Sequence, residues 1–99
     1  LEYLHANYCF LTEFFAARMP QFTVTRLEGT YLVWVDCRRL GFTSEELCRR
    51  LLEEQNLWLN EGTMYGAAGE GFVRINIACP RSRLEEALER LNRFVAQMD

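Results

Sequence analysis

The chain has 99 residues and a mass of 11.7 kDa, enough for one domain with a modest hydrophobic core and too little for two. Apolar residues make up 49% and charged residues 25%, which excludes a disordered or low-complexity segment. A formal charge of −3 argues against a phosphate-tracking surface, although Arg38–Arg39, Arg49–Arg50 and Arg81 with Arg83 form small clusters, so no nucleic-acid partner is expected. No apolar run approaches the length of a membrane span, so no membrane partner is expected either.

All 11 basic residues are arginine, so no side-chain amine in this chain can form a Schiff base. The four cysteines, Cys9, Cys37, Cys48 and Cys79, are widely spaced and form no Cys-x-x-Cys pair. They read as reduced, largely buried thiols of a cytoplasmic protein, with no metal site. His5 and Cys9 stand four apart on a predicted helix and can share a face as a thiol–imidazole pair.

In chain order, Leu1 to Arg18 reads as a helix with Leu4, Tyr8, Leu11 and Phe15 on one face, and Tyr3, Phe10 and Phe14 widening it. It starts without a capping residue, as if inside a longer helix. Pro20 ends it, and Phe22 to Arg26 alternates as a short strand before a turn at Glu28–Gly29. Tyr31 to Asp36 follows as a strand apolar on both faces, one carrying Tyr31, Val33 and Val35 and the other Leu32, Trp34 and Asp36. Thr43-Ser-Glu-Glu46 has capping-box spacing and opens a helix through Glu54, with Leu47, Cys48, Leu51 and Leu52 inward. Leu57 to Asn60 reads as a third strand. A glycine-rich stretch from Gly62 to Gly71 leads into a fourth, Phe72 to Ala78. Pro80 stops that strand, and Ser82-Arg-Leu-Glu85 is a second capping box, opening a helix with Leu84, Leu88, Leu91 and Val95 inward. The order α-β-β-α-β-β-α predicts an α+β fold, a two-layer α/β sandwich with helices on one face of a small sheet. The apolar side chains of the other face then need a partner.

The glycine-rich stretch is not a phosphate cradle, because it lacks G-x-G-x-x-G, has no P-loop lysine and precedes a strand. The last strand is more informative. Val73, Ile75 and Ile77 alternate with Arg74 and Asn76, which places an arginine and an asparagine on the face opposite the core, in mid-strand. A buried arginine needs a carboxylate, so Arg74 either closes an internal salt bridge, reaches solvent or grips a ligand carboxylate with its planar fork.

Three ordered motifs resemble a known family: Glu28-Gly-Thr-Tyr-Leu-Val-Trp-Val-Asp36, Leu59-Asn-Glu-Gly-Thr-Met-Tyr-Gly66, and Gly69-Glu-Gly-Phe-Val-Arg-Ile-Asn-Ile-Ala-Cys-Pro-Arg81. They are similar to the C-terminal part of fold-type-I pyridoxal-phosphate enzymes. Within the aminotransferase class I and II group they most resemble the cystathionine β-lyase and cystalysin carbon–sulfur lyases of MalY/PatB type. The resemblance implies that residues 1–99 are the aspartate-aminotransferase-like C-terminal small domain of a longer enzyme, with Arg74 holding the substrate's α-carboxylate. Asn76, Tyr65 and Gly66 would lie near the site. It further implies pyridoxal 5'-phosphate in the parent enzyme, an amino-acid substrate, a large cofactor-binding domain of the same polypeptide as partner, and a homodimeric parent. The family's catalytic lysine and its cofactor-binding residues have no counterpart here, so the chain alone is expected to be inert. The alternatives are a free-standing amino-acid-binding regulatory module, which would also use Arg74, and a thiol enzyme built on Cys9 or Cys79.

Overall fold

In the computed structural model, which describes residues 2–29, 31–61 and 70–98, Glu2–Arg18 forms α1, Thr23–Glu28 β1 and Leu32–Asp36 β2. A single 3-10 turn, Arg38–Leu40, precedes α2 at Ser44–Gln55. β3 is Asn60–Glu61, β4 Phe72–Asn76 and α3 Arg81–Ala96. The α+β class expected from the residue pattern holds. The four strands form one sheet in the order β1-β2-β4-β3, and every neighbouring pair is antiparallel.

Strand alternation sorts the core. Val33 and Val35 of β2, Val73 and Ile75 of β4 and Ile77 beyond it are buried with Leu11, Phe14 and Phe15 of α1, Leu47 and Leu51 of α2, and Leu84, Leu88 and Leu91 of α3. Each such side chain contributes about 1.5–3 kcal/mol through removal from water. Three details differ from the sequence pattern. Leu52 faces outward, because α2 buries only the narrower Leu47–Leu51 stripe. Phe94 rather than Val95 is fully buried at the end of α3, where its ring meets Phe42 at 6.2 Å. Tyr3 stays exposed, since the buried side of α1 starts with Asn7.

The element ends show what stops each segment. Thr43 caps α2 as expected, its hydroxyl accepting from the Glu46 amide at 3.1 Å. The second predicted capping box does not form. α3 begins at Arg81, two residues early, with Pro80 as its cap, and the Pro80 carbonyl accepts from the amides of Arg83 and Leu84. Proline supplies a backbone angle of −58° suited to a helix start, which leaves Ser82 inside the first turn rather than ahead of it. β4 stops at Asn76 rather than Ala78 because the Asn76 Oδ1 accepts from the Ala78 amide at 2.8 Å and turns the chain. The third strand lies at Asn60–Glu61, not Leu57–Asn60. Asn56 adopts a left-handed angle of 53° to end α2, and residues 57–59 carry the chain across to β4.

Polar clips join these elements. The buried Asn7 of α1 donates to the carbonyls of Ile77 at 2.9 Å and Cys79 at 2.8 Å, and accepts from Arg81 Nε at 2.9 Å. It thereby satisfies backbone groups that the end of β4 leaves without ladder partners. The Glu70 carboxylate accepts from the amides of Ser44 at 2.7 Å and Gly71 at 3.1 Å, holding the entry to β4 against the start of α2. Arg90 donates to the carbonyls of Gln55 and Asn56, closing the other end of α2.

Gly71 sits at φ +86°, and a Cβ there would run into Arg38 Cγ; Gly41 has a similar φ of +81° with open space around it. Gly71→Ala is therefore expected to lower stability to denaturant by about 1 to 3 kcal/mol, and by more than Gly41→Ala, which carries the backbone strain alone. Equal losses in the two variants, read from urea midpoints, would show that the Arg38 contact adds nothing.

Candidate functional site

The face of the sheet turned away from the core carries the candidate site. In the ladder Arg74 lies opposite Trp34 on one side and Asn60 on the other, and Phe72 lies opposite Asp36. Charge and aromatic groups alternate across this face. Arg74 Nη1 donates to Glu28 Oε1 at 2.9 Å, Trp34 Nε1 donates to the same oxygen at 3.3 Å, and the Arg74 guanidinium lies 5.7 Å from the centre of the Trp34 ring. Trp34 meets Phe72 edge-on at 6.1 Å, and Arg38 lies over Phe72 at 5.3 Å while pairing with Asp36 at 2.8 Å.

A bulge brings Glu28 to this face. Val24 pairs with Val35 and Glu28 with Leu32, two β2 residues of opposite faces, and the register shifts by one residue between Val24 and Arg26. Without that shift Val24 and Glu28, four apart, would point the same way, into the core. Thr25, the extra residue, donates its hydroxyl to the Trp34 carbonyl at 3.2 Å. The sequence reading missed Glu28 as a site residue, because alternation across Phe22 to Arg26 carries no signal for the bulge.

The ion pair is lopsided in burial: the Arg74 side chain is 6% exposed and the Glu28 side chain 46%. A cation buried to that degree needs its counter-charge, and the half-exposed carboxylate is the freer partner. Arg74 also borders a groove of about 400 Å³ beside the β3–β4 edge and α3, with Asn60, Asn76 and Arg83 among its described walls. Asn76 shares the outer face with Arg74, but is exposed and uses its Oδ1 in the turn to Ala78. Tyr65 and Gly66 lie outside the described residues.

The other candidates stand apart from this cluster. His5 Nε2 and Cys9 Sγ do meet, at 3.6 Å, on the exposed part of α1. All four cysteines are free, but only Cys37 is buried, which corrects the expectation of four largely buried thiols. Burial pushes the Cys37 thiol far above its ordinary value and that of Cys79 upward as well. The Arg38 side chain, hydrogen-bonded to Asp36, holds that carboxyl below the usual carboxylate range. No group of three or more His, Cys, Asp or Glu able to hold a metal exists among the described residues, and no described helix is long and apolar enough to cross a membrane.

Fold and site together define a small α+β unit with a buried, carboxylate-paired arginine in mid-sheet. The chain belongs to the aminotransferase class I and II family, whose model matches residues 1–91. It is 31% identical over 91 residues to cystathionine beta-lyase PatB of Bacillus subtilis, covering 92% of this chain and 24% of that protein. Among solved structures it resembles a PLP-bound putative aminotransferase from Clostridium difficile 630, with 47% identity and a TM-score of 0.87 over 93% of this chain and 24% of that one. It also resembles cystalysin from Treponema denticola, which contains a pyridoxal 5'-phosphate cofactor, with 32% identity and a TM-score of 0.91 over 99% of this chain and 25% of that one. The chain spans about a quarter of the length of the relatives it matches.

Burial and a raised thiol pKa make Cys37 inert in the native state. Alkylation with a bulky reagent near neutral pH, mapped by mass spectrometry, is expected to leave Cys37 unmodified until denaturant is added, with no thiol reacting faster than free cysteine. Labelling of Cys37 at the rate of Cys9 would contradict the packing, and a hyper-reactive Cys9 or Cys79 would revive the thiol-enzyme reading.

Proposed function

We propose that this chain is the C-terminal small domain, a two-layer α/β sandwich, of a longer pyridoxal-phosphate-dependent carbon–sulfur β-lyase or closely related aminotransferase. In that enzyme Arg74 holds the α-carboxylate of the amino-acid substrate. The observation that carries the reading is the buried Arg74 guanidinium already bound to a carboxylate at 2.9 Å, at the position the family motif gives to that role. Support for the lyase class comes from the cystathionine beta-lyase and cystalysin relatives, and for the aminotransferase class from the family and the Clostridium difficile structure.

The residues of this chain do not by themselves fit the cofactor, because a sequence without lysine offers no side-chain amine for its aldehyde. Held by the rest of the enzyme, pyridoxal phosphate would supply an electron sink for the substrate's Cα. What this chain contributes is orientation. A planar guanidinium fixed on a strand, over Trp34, grips a carboxylate in one plane and so sets the direction of the bonds at the neighbouring Cα. Asn76, Tyr65 and Gly66 are expected near the site in this reading, with no role assigned to them. The overall lyase reaction, a cysteine S-conjugate plus water, releases thiol, ammonia and pyruvate, in a cytoplasmic homodimer. The match over residues 1–91 favours this reading over a free-standing amino-acid-binding module.

Two measurements test it. In the full-length enzyme, Arg74→Ala is expected to raise KM and lower kcat/KM by roughly 2 to 4 kcal/mol, the scale of losing a charged hydrogen-bonding partner. A near-neutral effect would return Arg74 to a purely structural salt bridge. The 99-residue chain mixed with pyridoxal phosphate and a cysteine S-conjugate is expected to release no pyruvate, and release that survives purification would overturn the assignment of the chemistry to another domain.

A further inference from the structure

We infer that Glu28 is a resident carboxylate that occupies Arg74 until the substrate's own carboxylate displaces it, making Glu28 a residue that sets substrate affinity. The inference rests on the reading of Arg74 as the carboxylate-binding residue. Three observations carry it. Arg74 is nearly sealed from solvent, lies 5.7 Å from the Trp34 ring centre, and sits on a strand paired on both sides, so the cation is the fixed partner. Glu28 is half-exposed at the last position of β1, next to Gly29 with its φ of +63°, so the anion is the partner free to leave. Glu28 reaches this face only through the Thr25 bulge, and Trp34 Nε1 holds the same Oε1 that Arg74 holds.

The exchange is balanced in charge. An incoming carboxylate replaces the Glu28 carboxylate on the guanidinium, and Glu28 moves into water, where a half-exposed group recovers hydration at little cost. The buried cation is never left without an anion, which is the state that a site with an empty arginine would have to bear between turnovers. In return, the internal ion pair lowers apparent affinity by the fraction of time that Glu28 occupies Arg74. A substrate lacking a carboxylate in the right plane has nothing with which to displace it.

The test compares Glu28→Gln, Glu28→Ala and Arg74→Ala in the full-length enzyme that carries this chain. Two quantities are read, the KM of the amino-acid substrate and the inhibition constant of propionate as a bare carboxylate probe. Removing the Glu28 charge is expected to lower both by about two- to five-fold, the range set by a half-exposed ion pair, and by a larger factor than kcat moves. Glu28→Ala is expected to act in the same direction, which separates loss of competition from any change peculiar to glutamine. If both Glu28 variants leave KM unchanged or raise it while Arg74→Ala raises it, the displacement inference is overturned and the Arg74 reading stands. If Arg74→Ala moves neither constant, the Arg74 reading itself falls, and this inference with it.

Discussion

A guanidinium buried in the middle of a sheet must meet a carboxylate, and much of the outer face of this molecule is arranged around that requirement. Arg74 is placed there by simple alternation, since Val73 and Ile75 on either side of it belong to the core. The strand cannot bury those two without turning Arg74 the other way. Trp34, directly opposite, covers its guanidinium with an aromatic face, and Phe72 and Leu32 extend the cover along the sheet. Glu28 then supplies the charge. An apolar residue of similar volume at position 74 would be easier to bury, so the pair is not an economical source of stability.

Beneath this face, the opposite side of the sheet and the three helices form an ordinary apolar core. What fixes the arrangement of its edges is a small number of polar clips. Asn7 ties α1 to the segment leaving β4, Glu70 ties the segment entering β4 to α2, and Arg90 ties α3 to the end of α2. All three act on backbone groups that regular structure leaves over at element ends, where an unpaired buried amide or carbonyl costs about 1–3 kcal/mol. Two of them bracket β4, so the strand that bears Arg74 is anchored at both ends.

Features that depend on near neighbours were legible in the sequence. The burial of Val73, Ile75 and Ile77 follows from period-two alternation, and the start of α2 at Thr43 follows from a hydroxyl three residues before a free amide. The expectation that Arg74, if buried, would need a carboxylate follows from the cost of burying an unpaired charge. Where two local signals competed, the sequence reading chose the weaker: Ser82 offered a cap, but Pro80 starts α3 because its ring fixes the helical entry angle. β4 looked long enough to reach Ala78, yet the Asn76 side chain takes the Ala78 amide before a ladder partner does. Asn7 gave no sign of its role, since a lone asparagine in an amphipathic helix differs in nothing from one that faces solvent.

The sequence by itself determined which side chains of β4 enter the core, that Arg74 stands on the opposite face, and that no side-chain amine for imine chemistry exists in this chain, because each depends only on residue type and on a fixed backbone period. The identity of the carboxylate on Arg74 was decided only by the tertiary structure. Glu28 is 46 residues away in sequence and two strands away in space, and it shares a face with Arg74 only because one extra residue at Thr25 shifts the β1–β2 register. A bulge is chosen by the fit of one strand against its neighbour, with the Thr25 hydroxyl reaching the Trp34 carbonyl, and that fit exists only once the two strands have paired.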